Sequence, residues 1–165
     1  GAGSVISTAW EGSRPLLVEI QALVADGNTS YPKRLAQGID QNRLAMLVAV
    51  LQRHGGVALS GEDIFINVVG GLRIGETSAD LPVALAVASS FRDRACLEKL
   101  VSFGEVGLAG EVRPVRFGEE RIREAMKQGF ETAIVPAANT PKKKIKGIEV
   151  IGVRRLSEAL DSALN

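Results

Sequence analysis

One serine of the sequence lies where it could do chemistry. Ser78 follows a glycine-rich loop and precedes an apolar segment whose hydrophobic residues repeat at helical spacing. The first turn of a helix is electrostatically positive and presents free amide donors. A serine in that position could therefore act as a nucleophile, contact an anion or only cap the helix, and the local pattern leaves all three roles open.

The elements that would position Ser78 are a strand, a loop and a helix within residues 63–91. β-Branched and aromatic residues dominate positions 64–69 and are typical of a mostly buried strand. Three glycines in the loop allow the backbone to turn without a side-chain clash. Thr77 and Asp80 have the spacing of a capping box, which predicts that the helix starts here.

The other elements follow from hydrophobic periodicity and from turn residues. Strands are predicted over residues 5–10, 16–24, 100–108, 131–136 and 149–153, an extended edge segment over 30–39, helices over 40–53 and 117–128, a final helix capped by Ser157, and a turn at Asp26–Asn28. The first two strands alternate like an antiparallel hairpin, and later strands alternate with helices. This order predicts an α/β fold with a mixed sheet.

Composition narrows the class of protein. With 165 residues, the chain is predicted to be one globular domain. Its net charge of +1 does not by itself indicate nucleic-acid binding. Cys96 is the only cysteine, which fits a reducing cytoplasm, and no apolar run is long enough to span a membrane. Residues 1–4 are predicted to be a linker or a cloning remnant, so the folded domain is expected over residues 5–165. The chain is therefore expected to be a piece of a longer protein.

Several catalytic motifs are missing from the sequence. It contains no glycine–lysine pair and therefore no P-loop, and no cysteine or histidine spacing that would hold a metal. A Ser-His-Asp site would have to use His54, the only histidine, which is predicted to be a cation at a helix C-terminus. The remaining way to activate Ser78 is a neutral lysine.

Two segments resemble the proteolytic domain of Lon proteases. ETSAD at 76–80 is similar to the nucleophile segment G-P-S-A-G, and GEVGLAGEVRPV at 104–115 is similar to the strand pair that follows it. The resemblance implies an α/β fold with a Lon-like mixed sheet packed with helices, in the βαβ topology of ribosomal-protein domain 2. It also places Glu119 where Lon has its catalytic lysine, so that Ser78 and Glu119 are the degenerate dyad positions. Lys127 lies roughly 12 Å further along the predicted helix and cannot replace that lysine.

A closer resemblance covers nearly the whole chain. The segments that carry it are RPLLVEIQAL (14–23), DQNRLAML (40–47), TSAD (77–80), FGEVGLAGE (103–111) and IVPAAN (134–139). Together they resemble the C-terminal Lon-like domain of the RadA (Sms) family of bacterial DNA-repair proteins.

This second resemblance implies a non-catalytic domain of a cytoplasmic, RecA-like, hexameric DNA helicase that acts in recombination and branch migration. The partners it implies are single-stranded or branched DNA, further copies of the protein in a ring, and the RecA recombinase, without a membrane. ATP, Mg and Zn are expected in parts N-terminal to this domain, and no cofactor or metal is expected within it. The alternatives are a Ser-Lys peptidase of the Lon type and an oligomerisation platform without direct DNA contact.

Basic residues are the predicted DNA contacts. They are Arg14, Lys33, Arg34, Arg43, Arg113 and Arg116. Arg43 stands in a first helical turn, where it opposes the helix dipole, so local stability does not explain it. If these segments meet, they form one basic surface suited to phosphates, and scattered surface charge is the alternative. The lysines of the 142–146 segment are predicted to form a solvated loop.

Overall fold

The described part of the chain, residues 1–27 and 30–164 of a computed structural model, alternates strands with helices. The strands are β1 (Ser4–Glu11), β2 (Arg14–Ala25), β3 (Arg34–Gln37), β4 (Asp63–Val68), β5 (Leu100–Ser102), β6 (Glu105–Val106), β7 (Val112–Arg113), β8 (Thr132–Pro136) and β9 (Glu149–Val153). The helices are α1 (Gln41–His54), α2 (Asp80–Arg92), α3 (Gly118–Lys127) and α4 (Leu156–Ala163). The predicted α/β class is confirmed, whereas the predicted turn at Asp26–Asn28 ends outside the described residues.

The β1–β2 hairpin is the longest pairing in the sheet. Its register runs from Ser4 opposite Gln21 to Glu11 opposite Arg14. Gly12 begins the two-residue turn with a φ of +63°, a left-handed conformation that glycine adopts without steric cost. The predicted antiparallel hairpin is therefore confirmed, and it extends further at both ends than the sequence indicated.

Seven of the described strands form one mixed sheet in the order β3-β4-β2-β1-β5-β8-β9, and β6 and β7 pair separately. The two antiparallel pairings are those that β2 makes with β1 and β4. The other four pairings of the large sheet are parallel. As predicted, the segment that contains β3 lies at an edge of the sheet.

Helices cover both faces of this sheet because alternate strand residues point in opposite directions. On one face, α1, α2 and α4 pack over a core that includes Val5 and Ile134. On the other face, Ile122 and Ala125 of α3 pack over the neighbouring residue Ala133. None of the described helices is long and apolar enough to cross a membrane.

The predicted strand over residues 100–108 is interrupted in the middle. Gly104 separates β5 from β6, because its amide donates to the Ser78 carbonyl at 2.8 Å and its carbonyl accepts from the Leu81 amide at 3.0 Å. A Cβ at Gly104 would lie 3.1 Å from Cγ of Pro136, so the position favours glycine. The break brings the strand edge against the loop that holds the serine.

The first and last elements also differ from their predicted bounds. β1 starts at Ser4 rather than residue 5, and the preceding Gly3 donates its amide to Oγ of Ser89 and accepts from the Ala22 amide. At the other end, α4 begins after Arg155 instead of being capped by Ser157. The Glu158 carboxylate there accepts hydrogen bonds from the backbone amides that precede the helix.

Candidate functional site

Ser78 lies in a single 3-10 turn, Thr77–Ala79, that leads directly into α2. Its side chain is buried, with 2% of the residue exposed, and its hydroxyl donates to Oε1 of Glu76. The predicted capping box is wrong, because the N-cap of α2 is Ala79 and makes no side-chain hydrogen bond. The Asp80 carboxylate, which was predicted to complete that capping box, instead accepts hydrogen bonds from Arg43 of α1.

A buried guanidinium lies beside the serine. Arg121 of α3 is 3% exposed, and its Nη2 donates to Oε1 of Glu76 at 2.8 Å. Its Nη1 donates to the Thr8 carbonyl and its Nε to the Arg116 carbonyl, each at 2.8 Å. Arg121 therefore ties α3 to β1 and to the serine loop. A guanidinium stays protonated in proteins, so it cannot act as a base towards Ser78.

Glu119 lies on the exposed side of α3 and does not line the cavity at the serine. Its carboxylate pairs with Nε of Arg123 at 3.0 Å, one helical turn away. The residue of α3 that faces the serine loop is Arg121, which the sequence analysis missed. Its spacing in the sequence was the indication that could have identified it. Arg121 lies three residues after Gly118 and one before Ile122, on the buried side of α3.

An aromatic pair forms one wall of the serine cleft. The rings of Trp10 and Phe117 stack with centroids 4.0 Å apart and an interplanar angle of 17°. The guanidinium carbon of Arg116 lies over the Phe117 ring, 5.2 Å from its centroid. The cleft has a volume of about 540 Å³. Its lining residues are Trp10, Glu76, Thr77, Ser78, Pro114, Val115, Arg116, Phe117 and Arg121.

On the other side of the serine loop, Asp80 forms a buried ion pair with Arg43 of α1. Asp80 is 3% exposed and Arg43 is 32% exposed. Nε of Arg43 donates to Oδ1 at 2.9 Å, Nη2 donates to Oδ2, and the Val106 amide also donates to Oδ2, at 3.0 Å. Burial raises the pKa of the Asp80 carboxyl, and these hydrogen bonds offset part of the rise. The pairing with Asp80 raises the pKa of Arg43.

Arg34 is also occupied within the domain. Its Nη2 donates to the Leu59 carbonyl at 2.9 Å and its Nε donates to the Glu62 carbonyl at 3.1 Å. Both carbonyls belong to the loop before β4, which Arg34 therefore fastens to the edge strand. Neighbouring Lys33 is exposed and donates its backbone amide to Asp63 at 2.7 Å.

The six predicted basic residues do not share one surface. In the sheet, Arg34 of β3 lies opposite Ile64 of β4, and Ile64 lies opposite Val24 of β2. Arg14 is also in β2, ten positions before Val24. At the rise of an extended strand, this separation is about 30 Å along the sheet. The expectation that these segments converge is therefore wrong for Lys33 and Arg34.

The other four predicted residues lie at the end of the sheet that holds the serine cleft. Arg14 adjoins Pro15, the sheet partner of Trp10, and Arg113 precedes Pro114 of the cleft wall. Arg113 pairs with Glu111 at 2.7 Å, which raises the pKa of Arg113 and lowers that of the Glu111 carboxyl.

Sequence reasoning also missed Arg73 in the glycine loop. Arg73 is exposed and lines a groove that shares Trp10 and Glu76 with the cleft. Within residues 1–27 and 30–164, the side chains of Arg14 and Arg73 make no hydrogen bond or ion pair. We call Arg14, Arg73 and Arg116 the arginine rim. Among the same residues, no cluster of three or more histidine, cysteine or carboxylate side chains could hold a metal ion.

Comparison with known proteins places this architecture in a family. Residues 39–139 match the family model described as subunit ChlI of Mg-chelatase. The chain is also 58% identical over 159 residues to the DNA repair protein RadA of Escherichia coli K12, which covers 96% of this chain. The chain belongs to the ChlI family and corresponds to a segment of RadA. The resemblance to RadA proteins inferred from the sequence is thus confirmed.

Relatives from distant bacteria match over the same extent. The RadA of Bacillus subtilis 168 is 47% identical over 164 residues, 99% of this chain, and that of Aquifex aeolicus is 42% identical over 159 residues, 96% of this chain. The chain spans about a third of the length of these curated relatives, with 35% of the Escherichia coli and Aquifex proteins and 36% of the Bacillus protein covered.

Proposed function

We propose that this chain is a non-catalytic, Lon-like domain that binds DNA within a RecA-like DNA-repair helicase and supports its hexameric ring in recombination and branch migration. The names of the RadA relatives support the repair role. The proposal assigns ATP, Mg and Zn to the part of those longer proteins that this chain does not cover. It also places the domain in the cytoplasm, with the RecA recombinase as a partner.

The surroundings of Ser78 support the absence of peptidase chemistry. A serine nucleophile needs a neighbouring base that can accept its proton. The residues that line the cleft include no lysine and no histidine, and the guanidinium of Arg121 bonds to the same Glu76 carboxylate as the serine hydroxyl. The serine hydroxyl is buried and already bonded to Glu76, which Arg121 engages in turn. This arrangement fits a structural role for the serine.

The observation that carries the DNA-binding proposal is the arginine rim. Arg14 and Arg73 have charges that no described residue of the domain neutralises, and the Arg116 guanidinium lies over an aromatic ring without a carboxylate partner. Guanidinium groups bind phosphates through charge and paired hydrogen bonds, without reading the bases. Binding at this rim should therefore tolerate any sequence and weaken steeply with salt.

The test is a comparison of two charge-matched triple variants. One replaces Arg14, Arg73 and Arg116 with glutamine. The other replaces Lys142, Lys143 and Lys144 with glutamine; these lysines are exposed and do not line the cleft. Anisotropy of a labelled oligothymidylate, measured over a series of salt concentrations, gives affinity and salt dependence. Because each single-strand phosphate contact contributes about 0.7 to the salt slope, the rim variant should lose about 2 from it.

The lysine variant should lose less affinity and less of the salt slope than the rim variant. Wild-type binding by the rim variant would remove the rim from the DNA surface, and a larger loss in the lysine variant would move that surface to the 142–146 loop. If wild-type protein binds no DNA at all, in the longer ring-forming RadA as well as in this chain, the proposed function fails as a whole.

A further inference from the structure

We infer that the serine cleft receives an unpaired nucleobase, which stacks at Trp10, Phe117 and Arg116. We call these three side chains the stack. The inference rests on the proposed DNA binding and adds to it a preference for single strands over duplex. It concerns the mode of contact rather than the phosphate contacts of the arginine rim.

The geometry of the stack is that of a nucleic-acid platform left partly open. Trp10 covers one face of the Phe117 ring in a near-parallel arrangement, and the Arg116 guanidinium lies over the ring at 5.2 Å. Phe117 is nevertheless 37% exposed, at the mouth of a cleft of about 540 Å³. Nucleobases stack on both aromatic rings and guanidinium planes. A base can therefore extend this stack or take the place of Arg116 on the ring.

The backbone holds the Phe117 ring in this position at a steric cost. Phe117 precedes α3 with a φ of +62°, in the left-handed region that residues with a Cβ avoid. Glycine would adopt this conformation freely. Because more than a third of Phe117 is exposed, burial of its large apolar side chain offsets little of the cost of this backbone conformation. Retention of the ring here is therefore better explained by a ligand that covers it.

The charges around the stack match a single strand with a phosphate on each side of the bound base. Arg116 is part of the stack, and Arg73 lines the adjoining groove. Of the two carboxylates that line that groove, Glu76 is paired with Arg121, whereas Glu11 forms no ion pair among the described residues. Arg116 and Arg73 have no carboxylate partner among the described residues, so both can contact phosphates.

Only an unpaired base can reach the ring, because bases in a duplex are already stacked on their neighbours. The contact should be tolerant of sequence, since every base offers an aromatic face. It should also be insensitive to salt, unlike the contacts of the arginine rim. Because Arg116 belongs to both sets, substitutions of Phe117, which leave all three arginines of the rim in place, separate the stack from the rim experimentally.

The test uses oligothymidylate that contains one 2-aminopurine, a base whose fluorescence is quenched on stacking, and a matched strand of abasic sites with the same phosphates. Wild-type protein should quench the 2-aminopurine, and emission of Trp10, the only tryptophan, should change on binding. Phe117→Leu keeps an apolar side chain without a π face, and Phe117→Gly relieves the backbone strain. Both should lose about tenfold in affinity for the base-containing strand and nothing for the abasic strand.

The possible failures are distinguishable. If the wild-type protein binds both strands equally, with no quenching and no effect of either Phe117 variant, DNA binding stands and the stack is not a base site. If neither strand binds, the proposed function itself fails. Two Phe117 variants are used so that misfolding of one does not invalidate the test. Circular dichroism must show that at least one retains the native spectrum and melting transition. Equal affinity for duplex and single strands would also overturn the inference.

Discussion

Replacing Arg43 with alanine should destabilise the domain, although Arg43 is one of the residues predicted from sequence to contact DNA. The change removes the partner of a carboxylate that is 97% buried within the fold, since Asp80 is only 3% exposed. The Val106 amide remains as a donor to Asp80, but it carries no full charge. The variant must therefore bury an unpaired charge or take up a proton.

The size of the effect follows from the exposure of the two partners. Breaking a fully buried ion pair costs about 3–5 kcal/mol. Because Arg43 is 32% exposed, water reaches the pair and screens it, so we expect a loss of about 2 kcal/mol. For a domain of this size that corresponds to a decrease in melting temperature of about 4–8 °C.

The dependence of this loss on pH identifies its cause. Burial without Arg43 should raise the pKa of Asp80 further above its ordinary value than in the wild type. Between its unfolded and its raised folded pKa, the native variant binds more protons than the unfolded chain, so its stability rises as the pH falls. The gap between Arg43→Ala and wild type should therefore be smaller at about pH 5 than at about pH 8.

Chemical denaturation at both pH values, with Arg14→Ala as an exposed arginine control, measures these differences. The double variant Arg43→Ala with Asp80→Asn should regain stability relative to Arg43→Ala, because asparagine keeps an acceptor for the Val106 amide without a charge. A loss that is equal at both pH values, or no loss at all, would refute the argument. If no stability is lost, Arg43 is free for a ligand, as predicted from the sequence.

Two further predictions concern the core and the serine. Leu47→Ala and Leu85→Ala should each cost roughly 2–5 kcal/mol in denaturant unfolding, because these side chains are 1% and 0% exposed, and unchanged unfolding curves would contradict the assignment of the helical stripes. Purified protein should not cleave fluorescent casein, and Ser78→Ala should not alter that result; turnover that disappears on this substitution would restore the peptidase alternative.

Most elements could be predicted because their pattern is local. Leu44, Leu47 and Leu51 repeat on one side of α1, Asp40 caps it, and the structure buries those leucines against the sheet. The β1–β2 hairpin likewise follows from alternation and from its turn. The break at Gly104 could not be predicted in this way, because it depends on hydrogen bonds with Ser78 and Leu81 and on contact with Pro136, which are distant in sequence.

The site was predictable only in part. The sequence identified Ser78 correctly as a loop residue at the start of a helix, but it assigned Arg34 and Arg43 to a free surface. A charged residue in a sequence does not reveal its partner, and Asp80 lies 37 positions from Arg43. The same reasoning missed Arg121, whose partner Glu76 lies 45 positions away. Basic residues can be assigned to a ligand only after their internal partners are known.

The two carboxylates on either side of Ser78 connect these findings, because they fasten two different helices. Glu76 holds Arg121 of α3 on the side of the cleft, and Asp80 holds Arg43 of α1 on the opposite side. Any substitution at those four positions changes the loop, the cleft and the stability of the domain together. A loss of DNA binding in such a variant therefore does not identify a contact. Arg14, Arg73 and Arg116 lack internal carboxylate partners among the described residues, so substitutions there can separate binding from folding.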